Sequence, residues 1–93
     1  MTASPRFPLG QLLSTPGAIA ALQAVGMTPL SLLVRHAAGD WGDLDAEDKQ
    51  LNERALQDGS RIFSAYCLAA GLKVWVITEA NRAATTVLLP DEY

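Results

Sequence analysis

The stretch from Arg61 to Pro90, RIFSAYCLAAGLKVWVITEANRAATTVLLP, constrains the fold more than any other part of the chain. Three runs within it, Ile62–Leu68, Lys73–Glu79 and Thr85–Leu89, are rich in β-branched and aromatic residues. Such residues fit a pleated, half-buried surface. The gaps between the runs, Ala69–Leu72 and Ala80–Ala84, are short and turn-like, so each strand is expected to reverse into the next. The expectation is a three-stranded antiparallel β-meander over residues 60–90. In the middle run Val74, Val76 and Thr78 point one way, and Lys73, Trp75, Ile77 and Glu79 the other. Both sets carry bulk, which predicts a central strand whose second face is partly covered. Pro90 has no N–H to donate and stops the ladder.

Residues 15–59 read as three short helices packed on that sheet, an α+β arrangement. Thr15 is a natural N-cap, Pro16 fits the first helical position, and Ile19, Leu22 and Val25 recur at helical spacing before Gly26. The signal repeats at once: Thr28 and Pro29 open a second helix, Leu30, Leu33 and Val34 form its buried stripe, and Gly39 follows. Gly39–Leu44 is a loop that Trp41 pins by packing inward. Asp45 caps the third helix, with Asp48 three residues on. Leu51, Ala55 and Leu56 make its narrow stripe, while Lys49, Asn52, Glu53 and Arg54 look outward and Glu53 can meet Lys49. Gly59 ends it. Residues 1–14 read as a tail, Met1 to Pro5, followed by an apolar anchor at Phe7-Pro8-Leu9-Gly10; two prolines so close argue against a regular element there. Val74, Val76, Ile19, Leu22, Leu33 and Leu51 are the expected core.

A chain of 93 residues makes one domain, residues 1–93, with one modest core. Its net charge of −3 and pI of about 4.8 argue against a domain whose affinity comes from neutralising phosphates. Cys67 has no partner for a disulfide, which suits a reducing cytoplasm, and its place in a strand predicts a small buried apolar residue. The start of the chain has no signal-peptide pattern. The most apolar segment, Leu9–Val34, is interrupted by Gln11, Ser14, Pro16, Gln23 and Pro29, so no membrane span is expected.

The lone histidine, His36, sits near the end of the second helix, where a cation meets the helix dipole favourably. With one histidine and one cysteine there is no zinc constellation. The acidic run Asp40, Asp43, Asp45, Glu47, Asp48 fails the calcium-loop pattern, because Asp48 and Arg54 stand where Gly and Glu are needed. No metal or cofactor is expected. The more informative set rides on the strand ends: Arg61, Tyr66, Glu79, Arg82, Thr85 and Thr86. As a binding surface it comprises Arg61, Tyr66, Arg82, Thr85 and Thr86. As a catalytic set, Glu79 is the base for a 2′-hydroxyl proton, and Arg61 and Arg82 steady the charge on phosphorus. The structural alternative is an Arg–Glu ion pair with threonines satisfying the sheet ends.

The motifs Thr15-Pro16-Gly17-Ala18, Gly39-Asp40-Trp41-Gly42-Asp43-Leu44, Trp75-Val76-Ile77-Thr78-Glu79 and Arg82-Ala83-Ala84-Thr85-Thr86-Val87-Leu88-Leu89-Pro90-Asp91-Glu92-Tyr93 run through nearly the whole chain. In them the chain resembles a family of small bacterial proteins of plasmids and integrative elements, labelled "plasmid related protein" or "type I restriction endonuclease subunit M". The resemblance implies a mobile-element setting. The meander alone, through Arg61-Ile62, Trp75, Ile77 and Thr85-Thr86, is similar to nuclease domains related to barnase and the colicin ribonucleases. That likeness implies that Arg61 and Arg82 face a phosphate. The histidine acid expected after the second strand is replaced by Asn81-Arg82. Two functions follow as expectations. One is a non-catalytic cytoplasmic binding protein of a mobile element, working through a protein partner or as a homodimer, in anti-defence or plasmid maintenance. The other is a barnase-like ribonuclease with RNA as its substrate.

Overall fold

The computed structural model of the chain describes residues 5–93. The expected tail, Met1 to Pro5, lies outside the described residues except for Pro5. The fold is α+β. Strand β1 (Gln11–Ser14) leads into helices α1 (Pro16–Ala24), α2 (Pro29–Ala37) and α3 (Ala46–Asp58), and then strands β2 (Ile62–Cys67), β3 (Lys73–Thr78) and β4 (Ala84–Leu88). The last three form the expected meander, with Ile62 opposite Thr78 and Trp75 opposite Leu88.

The sheet is nonetheless four-stranded and mixed, in the order β1-β4-β3-β2, because β1 pairs in parallel with β4. The expectation of three antiparallel strands is corrected on this point. The meander leaves β4 with an unpaired edge, and a row of free N–H and C=O groups is a template for another strand. Gly10 makes the approach feasible. It adopts φ +65, and a Cβ there would collide with the carbonyls of Arg82 and Ala83. Gln11 N–H then donates to Ala83 O (2.9 Å), and Thr15 N–H to Val87 O (3.0 Å).

One face of the sheet carries Tyr66, Val74, Val76 and Val87, which pack against Ala18 and Leu22 of α1 and Leu32 and Leu33 of α2. A second cluster joins Ile62 to Ala55 of α3, Trp41 and Phe7. Phe7 is therefore the anchor that the sequence suggests, and Trp41 pins its loop. On the other face, Phe63 and Trp75 meet edge to face, and Tyr93 meets Trp75 from the turn after β4. Ile77 and Leu88 are buried, so the second face of the central strand is covered in part.

The helix starts follow their local signals. Thr15 accepts from Ala18 N–H (3.0 Å) and Asp45 from Asp48 N–H (2.9 Å). Thr28 makes no side-chain cap bond; its carbonyl instead accepts from Ser31 Oγ (2.7 Å). Five expected burials are corrected. Of the stripe Leu30, Leu33 and Val34 on α2 only Leu33 is buried, because the helix turns Leu32, Leu33 and His36 to the sheet and leaves Leu30 and Val34 outside. Ile19 and Leu51 are 41% and 53% exposed, and Cys67 is exposed. On α1 the sheet is met by Ala18 and Leu22, so the expected Leu22 is buried while Ala18 takes the inward place of Ile19. On α3 the buried residues are Asn52 and Ala55. Asn52 turns inward because its amide pairs with the backbone of Phe63, and this rotation carries Leu51 to the surface. Cys67 is the last residue of an edge strand, on the face away from the helices.

Candidate functional site

The strand-end residues do not form one cleft. Arg82 adopts φ +59 in the β3–β4 loop, and its guanidinium faces backbone. It donates to the carbonyls of Ser60 (2.6 Å), Ala55 (2.9 Å), Ala80 (3.2 Å) and Glu79 (3.3 Å). Ala55 lies in the last turn of α3, where its carbonyl also accepts from Gly59 N–H (3.0 Å). Arg82 adds a second donor there and a bond to Ser60 O, and so clamps that terminus to the β3–β4 loop. Arg61 reaches the opposite way, to the Tyr93 hydroxyl, with its guanidinium carbon 5.5 Å from the Tyr93 ring. Glu79 is exposed. The ion pairs among the described residues are Arg6–Glu53 and Arg35–Asp40, and neither involves Glu79. The expected Arg–Glu pair is thus absent from the strand ends. Tyr66 and Thr85 are buried on the helix-facing side, and Thr86 points to the other face, half-buried.

Tyr66 holds the loop after α2. Its hydroxyl donates to Asp40 O (2.6 Å), and burial raises its pKa to about 12, so it remains a neutral donor. Arg35 lies over its ring at 4.4 Å and pairs with Asp40 at 2.7 Å, which holds the Asp40 carboxyl below its usual range.

His36 is not the exposed helix-terminal cation that the sequence suggests. It is fully buried and stands in a polar chain across the core. Nδ1 lies 2.6 Å from Ser64 Oγ and Nε2 2.9 Å from Thr78 Oγ1; Thr78 Oγ1 is 2.7 Å from Thr85 Oγ1, which donates to Leu9 O (2.7 Å). The last bond orients all the others. Thr85 has one proton and gives it to a carbonyl, so it accepts from Thr78; Thr78 accepts from Nε2–H; Nδ1 accepts from Ser64. Burial lowers the His36 pKa to about 4, so the imidazole is neutral at pH 7. Phe7 and Trp41 pack edge-on to the ring. With no solvent contact, the chain is a structural strut that ties the N-terminal segment to α2 and the sheet.

The same segment closes a charged cluster. Glu53 accepts two bonds from Arg6 (3.0 and 2.8 Å) and one from Trp41 Nε1 (2.9 Å), and these bonds lower its pKa. Glu53 therefore binds Arg6 rather than the expected Lys49.

The two sheet edges differ sharply. Along β2 the outward backbone groups are met. The Asn52 amide both donates to Phe63 O (2.6 Å) and accepts from Phe63 N–H (3.1 Å). Asp43 N–H donates to Ala65 O (2.7 Å), and the Asp43 carboxylate accepts from Cys67 N–H (2.7 Å). Gly42, at φ +76, makes room for this approach, since a Cβ there would strike the Ala65 carbonyl. Along β1, alternate residues face β4, which turns the N–H and C=O groups of Leu12 and Ser14 outward. Beside that edge lies an apolar groove of about 180 Å³ between β1 and α2, lined by Leu9, Leu12, Leu30, Leu33, Val34 and Ala37, with Pro5 at one end. Leu12, Leu30 and Val34 are 50%, 61% and 49% exposed. From Leu9 to Val34 the chain carries no ionisable side chain, so strand and groove form one uncharged face. The charge-free run is visible in the sequence, but nothing local marks Gln11–Ser14 as a strand, so the reading of residues 1–14 as tail and anchor does not find this site.

Among the described residues, no three His, Cys, Asp or Glu side chains converge as metal ligands would. No single helix is long and apolar enough to cross a membrane. No family model, no curated protein and no solved structure matches the chain.

Proposed function

We propose that the chain is a small cytoplasmic accessory protein that works by binding protein, in the mobile-element setting its sequence resemblance implies. The observation that carries this reading is the uncharged face at β1 and α2, where a strand edge that no other strand pairs among the described residues adjoins exposed Leu12, Leu30 and Val34. Monomeric proteins seldom leave a contiguous apolar patch without use, and the cores of protein interfaces are depleted in charge. A phosphate chain needs the reverse, a basic surface. The arrangement of Arg82, whose donors face backbone carbonyls, supports a structural role for it rather than contact with phosphate.

A photoreactive residue at Leu30 tests the reading in cells of a host that carries the element. Cross-links should go to protein and should vanish when Val34→Asp is added. A control probe at Gln50, on the exposed side of α3, should give none. Cross-links to nucleic acid at Leu30, or none, would overturn the reading. So would metal-independent cleavage of single-stranded RNA by the purified chain that is lost in Glu79→Gln.

A further inference from the structure

No strand among the described residues pairs with the outer edge of β1, and that edge is complementary to itself. We propose that two copies of the chain pair antiparallel through β1, about a two-fold axis at Leu13, joining their sheets into one. This assignment rests on reading the β1–α2 face as a protein-binding surface, and it names the occupant.

Four observations favour a second copy over a foreign strand. The first is the register. Leu12 and Ser14 present their N–H and C=O groups outward. Rotation about Leu13 sets Leu12 of one copy opposite Ser14 of the other, so that the two residues of each such pair exchange both backbone bonds. Leu13 then meets Leu13 of the second copy as a close, non-hydrogen-bonded pair.

The second is charge. Each chain carries −3, yet no residue lining the groove is ionisable, so the groove faces of two copies meet without like charges opposed. The Glu92 carboxylate at the end of β1 is held by Thr15 Oγ1 (2.6 Å) and Leu89 N–H (2.8 Å). A charged peptide would find no countercharge on this face.

The third is continuity. Leu12 lies on the helix side of the sheet, opposite Thr85. The two-fold axis therefore brings α2 of each copy to the same side, and the exposed Leu30 and Val34 of both close over the groove. The fourth is closure. Asn52, Trp41 and Asp43 already occupy the β2 edge, so pairing stops at two copies and does not run on into a fibre.

Sedimentation of the purified chain tests the pairing. The wild type should sediment as twice 9.9 kDa at high micromolar concentration. Leu13→Lys and Leu13→Glu should each be monomeric, because like charges directly opposite repel. Mixed in equal amounts, they should recover the dimer. Leu13 is 41% exposed, and circular dichroism checks that each variant is folded. Val34→Lys, on exposed helix surface, is a second variant and should weaken the dimer at least tenfold. A monomeric wild type, or a dimer that persists in Leu13→Lys, overturns the pairing. If Leu30 still cross-links to other proteins in that case, the binding reading stands; if it cross-links to none, both fall.

Discussion

At the scale of single residues, His36 offers the sharpest test. Its folded pKa of about 4 lies below the usual 6.5 because burial penalises the charged ring. The unfolded chain takes up the proton first as pH falls. The stabilisation is therefore complete above about pH 6.5 and is lost progressively as pH approaches 4. A shift of this size corresponds to about 3 kcal/mol. Urea midpoints should fall between pH 7 and 5, before the carboxyls begin to titrate, and His36→Gln should flatten that slope while lowering stability throughout. The oriented chain from Ser64 to Leu9 also fixes the tautomer: long-range ¹H–¹⁵N spectra should show Nε2 protonated and Nδ1 bare. At the strand end Glu79 has no ion-pair partner among the described residues, so Glu79→Gln should change stability by no more than about 0.5 kcal/mol. Arg82→Ala removes donors from four carbonyls and should lower the unfolding midpoint clearly.

At the scale of elements, α3 is held by its ends and by one polar residue on its inner side. Asp45→Ala removes the bond to Asp48 N–H and should cost about 0.5–2 kcal/mol. Asn52→Ala should cost about 1–3 kcal/mol, since it leaves the Phe63 N–H and C=O without their partner in a partly buried setting. Chemical denaturation measures both. Hydrogen exchange separates them, because only Asn52→Ala should speed exchange at Phe63. That substitution also bears on assembly, since it uncovers the strand edge that Asn52 now closes.

At the scale of the whole molecule, polarity is divided along the fold. Every ionisable side chain lies before Leu9 or after Val34, and the Arg6–Glu53 and Arg35–Asp40 pairs brace the junctions around the N-terminal segment and the loop after α2. The apolar interior is small and continuous with the groove at Leu33, which is itself 5% exposed. Leu33→Ala should cost about 2–5 kcal/mol in global stability, read from thermal and urea unfolding. The exposed groove residue Leu30 should tolerate Leu30→Ser within about 0.5 kcal/mol while losing contact with a partner. That contrast separates residues that build the fold from residues that present its face.

The meander, the three helices, the Asp45 cap and the inward Trp41 were legible in the sequence because each is set by residues only a few positions apart. Alternation of Val74, Val76 and Thr78 needs no knowledge of the rest of the chain, and neither does Thr15-Pro16 at a helix start. Other features depended on contacts between distant segments. Gln11–Ser14 becomes a strand only because β4, some seventy residues later, leaves an edge for it. His36 could have ended its helix in solvent; Ser64, Thr78 and Thr85, arriving from three different positions in the sheet, make it a buried neutral strut. Arg61, Glu79 and Arg82 share the polar chemistry of a site, but their directions are set by Tyr93 and by the carbonyls at the end of α3. Residue type and spacing determine which local structures form. Which polar groups find partners, and which edge remains open, is decided only when the segments meet, because desolvation charges every unpaired buried group and no single segment can satisfy itself.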